Sequence, residues 1–498
     1  MTNQAVGFQW LKEHFGLHEY KLTHRSYIGG RNKIEVSLDG NIDEIYGPKY
    51  AVSEVTVFRH LEFALKYDDL SLDFLLAVFK RIDQVQLTDY LNINPSARYT
   101  RRIGFLYEWL NDRLLDIKPE ITGNYIDLLD TKKYITGNTQ KNNRWKINDN
   151  LLGGKDFCPV VRKNVDLIRL LSIDFRAEIE SLKEEYSPEI FNRATQYLYR
   201  KETRSSYEIE QEKPSPDRMN RFVALLYDAG KKPADEVLTE SHLTALQNAI
   251  VDPRYKQEGY RNFQNYIGQS NYRMEELYHY ICPAPQMVVP MMKGLESMEE
   301  KTRGISPVVR ASLVSFGFVF IHPFLDGNGR IHRFLIHDML IRDGVVGNDV
   351  IIPVSAHMVN NIRDYDYALE TYSKPLMQRI QFTNDNKGAV TVTNLEEVQA
   401  YFKYPDLTIQ TAFLFQTIQE SIRQDLSEEL LFLEKYDELK KEILQFIDMP
   451  DKRINDIIVL IHQNKGIFPA RRKKQFSEIT EDEFREIERM YKEVFSNK

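Results

Sequence analysis

Along most of the chain, apolar positions recur at intervals of three and four, the spacing of a helix with one buried face. Phe74, Leu75, Val78, Phe79 and Ile82 carry this pattern within a stretch from Val52 to Leu115 that reads as mostly helical. The pattern resumes at Val165 and continues past Tyr199. A helix running through Ile209 is then stopped by the breaker Lys213-Pro-Ser-Pro216. Leu238 to Ile250 reads as another helix, closed by Asp252-Pro253. The most apolar segment is Val308 to Phe320. Val309, Leu313, Phe316 and Phe320 form one stripe, and apolar residues extend around much of the circumference, which predicts burial at the centre of a domain. From about Asn394 the chain is helical and highly charged. Glu428 to Phe446, Ile454 to Gln463 and Glu481 to Phe495 are separated by breaks such as Gly466, a small helical unit for which a winged-helix-like arrangement is the alternative.

Three segments depart from the helical period. Ile34 to Tyr50 mixes short alternation with Gly40 and Gly47, giving a small hairpin or an ordered loop. Gly123 to Pro159 is rich in Gly, Asn and Thr and reads as extended, turn-bearing chain. Gly259 to Pro285 is aromatic and polar, and Gly268-Gln-Ser-Asn271 sits between strand-like halves, which predicts a β-hairpin. The expected architecture is mainly α: an N-terminal accessory region over 1–190, a central helical domain with a small hairpin over 191–390, and a C-terminal helical region over 391–498.

Composition refines this only slightly. The chain has 498 residues, and about 150 residues per domain gives roughly three units. Its 66 Lys and Arg against 73 Asp and Glu leave a formal charge of −7, against wholesale coating of nucleic acid or anionic membrane. The local run Arg471 to Lys474 reads as a solvated helix start, with a nucleic-acid contact as its alternative. Arg98, Arg101 and Arg102, near Tyr107 and Trp109, read as a basic helix edge engaged in internal packing and salt bridging. Two distant cysteines, Cys158 and Cys282, form neither a disulfide framework nor a CxxC site, and fit a reducing, cytoplasmic setting. No run approaches the ~20 apolar residues of a membrane span, and Met1 to Phe15 has no uninterrupted apolar stretch.

The chemistry is concentrated in His322-Pro-Phe-Leu-Asp-Gly-Asn-Gly-Arg-Ile-His-Arg333, which follows the buried helix and opens a second one, Ile331 to Ile341. Backbone amides at a helix start lack intrahelical acceptors, and the helix dipole adds positive potential, so the loop is an anion site. Gly327 and Gly329 allow close backbone approach, and Asn328 adds a donor. Arg330 and Arg333, three apart, share a helical face and present forks suited to phosphate oxygens. Asp326 is a hard oxygen ligand placed to hold Mg²⁺. His322 is a base that titrates near neutrality. The set suits phosphoryl or nucleotidyl transfer. No GxxxxGK[ST] loop occurs, and His322 and His332 lack the spacing of an HExxH zinc site.

The loop fits HxFx(D/E)GNGRxxR at every defined position and so resembles the signature of the Fic family. That resemblance implies a compact helical domain and transfer of AMP from ATP to a Tyr, Thr or Ser hydroxyl of a protein target. It implies His322 as general base, Asp326 as Mg²⁺ ligand, Gly327, Asn328 and Gly329 as anion hole, Arg330 and Arg333 as phosphate-binding arginines, and Phe324 as a core anchor. The 259–285 hairpin stands where the family has its flap, which pairs with the target by strand addition. Asn361, Tyr365 and Tyr367 stand where members contact adenine. Upstream, Ser206-Tyr-Glu-Ile-Glu210 resembles the inhibitory motif (S/T)xxxE(G/N), with Gln211 departing from the last position. Glu210 would then pair with Arg333 and block the γ-phosphate position. Self-modification and a homodimer are further expectations from the family. AMP removal by the same site is one alternative, and a DNA-binding regulator with a nucleotide-sensing core is another.

Overall fold

The computed structural model describes residues 3–36, 41–270, 276–347, 349–385 and 389–496. The fold is mainly helical, with short strands in small sheets. Hydrophobic packing gathers it into three principal cores. The first draws on residues from Phe8 to Val160, joined by Ala400 and Tyr404. The second and largest runs from Ile135 to Leu430. The third is confined to Leu439 to Val494. The expected boundaries at 190 and 390 both fall inside the span of the second core.

In the first region the helices Val57–Tyr67, Leu72–Phe79, Gln84–Ile93 and Arg98–Asn111 follow the 3–4 spacing. The 34–50 stretch resolves into a hairpin: Lys33–Val36 runs antiparallel to Ile42–Tyr46. That hairpin belongs to a four-stranded sheet, because Ile42–Tyr46 also pairs in parallel with His24–Ile28, which pairs antiparallel with Gln4–Val6. The 123–159 stretch holds three very short strands, Ile126–Asp127, Gln140–Asn142 and Ile147–Asp149, and is otherwise irregular.

Its backbone groups need partners, and the helix Arg98–Asn111 supplies them. Buried Arg101 donates to the carbonyls of Asn124 (2.8 Å) and Lys146 (3.3 Å). Buried Arg102 donates twice to that of Asp127 (3.1 and 2.7 Å). The salt bridges expected of these two arginines are therefore replaced by backbone carbonyls, while Arg98 is exposed.

The second core is built around two helices. Pro307–Ile321 is buried along nearly its whole length, as its all-round apolar character requires, and packs against Asn328–Arg342. Pro188–Ile209, with Pro188 in its first turn and Ser187 capping its N-terminus, lies against Val354–Asn360 and Asn328–Arg342. The expected hairpin forms between Tyr266–Ser270 and Glu276–Ile281, in antiparallel register with Tyr266 opposite Ile281. Asn271, in the expected turn, lies outside the described residues.

Thr408–Glu420 continues through a π-helical turn, Ser421–Leu426, into Ser427–Phe446. With Asp451–Gln463 and Glu481–Ser496 this last helix encloses the third core, and among the described residues that unit has no strand to form a wing. Arg471 to Lys474 lie in a short 3-10 helix in which no residue is buried. Among the described residues, no helix is long and apolar enough to cross a membrane.

Candidate functional site

The site is the junction between the two central helices. Pro307–Ile321 ends at His322, whose backbone is left-handed (φ 55°, ψ 58°). A side chain with a Cβ adopts this at a cost of about 1–2 kcal/mol, so the surroundings must hold it there. The imidazole Nδ1 lies 3.1 Å from the Val319 carbonyl. A carbonyl only accepts, so Nδ1 carries the proton and Nε2 keeps its lone pair. Burial pushes the ring's pKa down to about 4, and the backbone hydrogen bond opposes this only in part. At neutral pH the ring is an uncharged acceptor.

The second helix begins three residues earlier than the sequence suggests, at Asn328, so Asn328, Gly329 and Arg330 form its first turn. Gly327 precedes it at φ 90°, and a Cβ there would come within 2.8 Å of Val251. Both geometry and space therefore demand glycine. The Asn328 side chain spends both its groups on Phe324, accepting from its amide (3.0 Å) and donating to its carbonyl (2.9 Å). What residue 328 offers an anion is thus its backbone N–H. With those of Gly329 and Arg330, it opens the helix where no preceding turn supplies an acceptor.

A carboxylate already sits at this helix start. Glu210 caps the C-terminus of Pro188–Ile209, and its Oε1 accepts from Arg333 Nη2 at 2.7 Å. A Cβ on Gly329 would fall 2.1 Å from that same oxygen, so only glycine admits Glu210 here. Seclusion raises the Glu210 pKa, but Arg333 overrides it and the carboxyl is held below its ordinary range. Arg333 is 1% exposed and donates further to Ser206, to the hydroxyl from Nε and to the carbonyl from Nη2, both at 2.8 Å. Among the described residues its Nη1 is buried without a hydrogen-bond partner.

Arg330 is equally buried. It reaches Glu212 through Nη1 (2.7 Å) and Asp326 Oδ1 through Nη2 (2.6 Å). Asp326 Oδ1 also accepts from the Gly327 amide. Its Oδ2 makes no hydrogen bond among the described residues. One unengaged carboxylate oxygen beside an anion cradle fits a hard divalent cation.

The remaining expected residues divide. Two positions along a helix turn a side chain by about 200°, so Tyr365 and Tyr367 cannot share a face. Tyr365 is buried, stacked on His332 with centroids 6.1 Å apart. Burial raises its hydroxyl pKa, while Arg333 pulls the other way. Tyr367 is 62% exposed. Asn361 joins Val354–Asn360 to Ile362–Met377 and turns its amide onto His357.

Several residues that hold the site carry no sequence signal of their own. Gln247 donates to the Asp326 carbonyl (3.3 Å), Gln257 accepts from the Leu325 amide (2.7 Å), and Asn265 donates to the carbonyls of Phe324 (3.0 Å) and Leu325 (3.3 Å). Behind Glu210, the buried Glu202 accepts from the Ser355 amide (2.8 Å) and meets His337 Nε2 at 2.7 Å. This fastens the helix that carries Glu210 to its two neighbours.

The Fic/DOC family model matches residues 237–340. "Protein adenylyltransferase fic-1" of Caenorhabditis elegans is 29% identical over 157 residues, covering 29% of this chain and 28% of that protein. "Protein adenylyltransferase Fic" of Drosophila mojavensis is 36% identical over 105 residues, 21% of this chain and 18% of that one. The chain thus matches only about a third or less of these relatives' lengths. Among solved structures, a Fic family protein from Desulfovibrio desulfuricans is similar with a TM-score of 0.38 at 18% identity, over 54% of this chain and 76% of that one. A Fic domain containing signaling protein from Bacteroides thetaiotaomicron has a TM-score of 0.34 at 19% identity, over 52% and 96%. The matched segment contains the hairpin and the whole loop from His322 to Arg333, so the chain carries a Fic/DOC family domain at residues 237–340.

Proposed function

We propose that this protein transfers AMP from ATP to a hydroxyl of a protein target and is held latent by Glu210. The observation that carries the reading is the Glu210 carboxylate lodged against Gly329 and paired with Arg333 at the start of the loop helix. An internal anion occupies the ground a nucleotide phosphate would need, and its partners are the groups that bind phosphate best. The names of the relatives, protein adenylyltransferases, agree with it.

Once Glu210 withdraws, ATP phosphates take its place on the helix-start amides and Arg333. A target Tyr, Thr or Ser hydroxyl, presented along the hairpin, gives its proton to His322 Nε2. Its oxygen attacks the α-phosphorus, the bond to the β-phosphate oxygen breaks, and pyrophosphate leaves with AMP joined to the target. Asp326 would hold Mg²⁺, whose chemistry there would be charge neutralisation on the departing pyrophosphate. Arg330, braced between Glu212 and Asp326, orients that carboxylate.

The test compares wild type, Glu210→Gly and Glu210→Gly/His322→Ala, each with Mg²⁺ and α-labelled ATP, read by label and by intact mass. The expected result is one added AMP mass or more in Glu210→Gly alone, through self-modification. Glu210→Gly no more active than wild type, with ATP bound, would overturn the latency.

A further inference from the structure

Arg261 is 3% exposed and has no carboxylate partner among the described residues. Its guanidinium instead spans backbone carbonyls on two sides of the site. Nε donates to His322 (2.8 Å) and Nη2 to Pro283 (2.7 Å), with a longer contact to Ile321 (3.4 Å), while Nη1 donates to Phe263 (2.8 Å). Its own amide donates to the Pro323 carbonyl at 2.8 Å. Thus one side chain grips the carbonyl of His322, the first residue past the helix end, and both segments that flank the strand pair.

A buried cation without a counter-ion is a costly choice where a neutral donor would serve. What the fork uniquely supplies is several donors in fixed relative geometry. The carbonyl it holds belongs to a residue in a left-handed conformation that the helix itself does not enforce. Releasing that carbonyl frees the His322 backbone to relax, and with it the ring's reach to Val319.

Resting on the AMP-transfer reading above, we infer that Arg261 is the positioning residue that fixes His322 in its base geometry and couples it to the hairpin that presents the target. Base and target hydroxyl are then held by one rigid fork. A misplacement of about 1 Å in such an arrangement costs on the order of 100-fold in rate.

The experiment uses the full chain in the Glu210→Gly background, with Arg261→Met and Arg261→Lys. Three quantities are read: AMP labelling at saturating ATP, ATP affinity by calorimetry, and the His322 tautomer by ¹⁵N NMR of histidine-labelled protein, assigned with His322→Asn. Arg261→Met should label about 100-fold more slowly with ATP affinity unchanged, and its Nδ1–H signal should give way to a tautomer mixture. Arg261→Lys, one point donor in place of a fork, should recover only part of the rate. Labelling at the parent rate with an unmoved tautomer overturns the inference. So does a joint loss of rate and affinity with the tautomer unmoved, because that describes a merely structural arginine. Should Arg261→Met fail to fold, Arg261→Lys decides by the same criteria. A parent protein that binds ATP but transfers nothing counts against the proposed function. The tautomer shift in the Arg261 variants then decides the positioning role alone.

Discussion

Arg101 and Arg102 in the N-terminal region and Arg330 and Arg333 in the loop helix look alike at first inspection. Each pair lies on one helix, and all four guanidinium groups are buried. Their partners differ. Arg101 and Arg102 donate to carbonyls of an irregular stretch with little regular pairing of its own. Arg330 and Arg333 face side-chain carboxylates of Asp326, Glu210 and Glu212, delivered from the loop and from the end of another helix. A backbone carbonyl cannot leave without unfolding the segment that bears it. A carboxylate on a helix end can swing away and be replaced by phosphate. On the proposed function the first pair is cement and the carboxylate contacts of the second are exchangeable, so that the nature of the partner, more than the burial of the arginine, separates a structural cation from a binding one.

Exchanging the two pairs' fates gives the largest expected effect. In the Glu210→Gly background, Arg333→Met should lower AMP labelling per folded molecule by about 100- to 1,000-fold, the usual loss for a donor aimed at developing charge. Arg102→Met should do the reverse. It leaves the Asp127 carbonyl without its donor and should destabilise the N-terminal region by about 1–3 kcal/mol, seen as an earlier first transition in urea, while labelling per folded molecule stays at the parent rate. If Arg102→Met instead slowed labelling in the folded protein, the division between cement and exchangeable pairs would fail.

A smaller effect is expected at the latch. Gln211, directly after Glu210, is left-handed (φ 55°) and terminates the helix that delivers the carboxylate. Gly or Asn adopts that conformation more readily, which explains in physical terms why the inhibitory motif prefers them. Gln211→Gly should relieve up to about 1 kcal/mol of backbone strain and hold Glu210 in place longer. Leak labelling of the otherwise wild-type protein should fall by about 2- to 5-fold, that energy expressed as a ratio, in a long incubation with labelled ATP. A faster leak would mean that this helix end does not govern Glu210.

What the sequence made legible follows the same line. The loop from His322 to Arg333 is contiguous, so its glycines, carboxylate and arginines could be read together, and Ser206 and Glu210 lie close enough to form a local motif. The all-round apolar face of 308–320 likewise announced its burial. Arg261, Asn265 and Gln257 are not legible there, because each works through a backbone carbonyl or amide 59 to 68 residues away, and a backbone partner leaves no mark in the residue types. Glu202 is equally unmarked by its neighbours in sequence, yet it is buried on Ser355 and His337. The third core, 439–494, was visible as amphipathic helices, but nothing in their period distinguished a strand-free bundle from a winged one.

The finest effect is a pH profile that stays level where histidine chemistry ordinarily bends. Burial lowers the His322 pKa to about 4, so the neutral, proton-accepting ring persists down to that range. Activity that depends on it is lost only as pH falls through the lowered value. Glu210→Gly removes a carboxylate that had been raising the ring's pKa, which acts in the same direction. Nucleotide phosphates arriving beside the ring act oppositely, since nearby negative charge favours the imidazolium. The rate constant kcat/KM for ATP reports the free protein and kcat the complex. In Glu210→Gly, kcat/KM should therefore show no acid limb between pH 8 and about 5.5, while the limb in kcat lies at higher pH than any limb in kcat/KM. Wild type should stay latent across the same interval. Its Glu210 carboxyl is held below the ordinary range by Arg333, so the latch is complete above the usual glutamate pKa and loosens only as pH falls through the depressed one. An acid limb in kcat/KM near pH 6.5, the unperturbed histidine value, would show that opening the latch floods the ring with water. The exchangeable side of the comparison would then include the base itself.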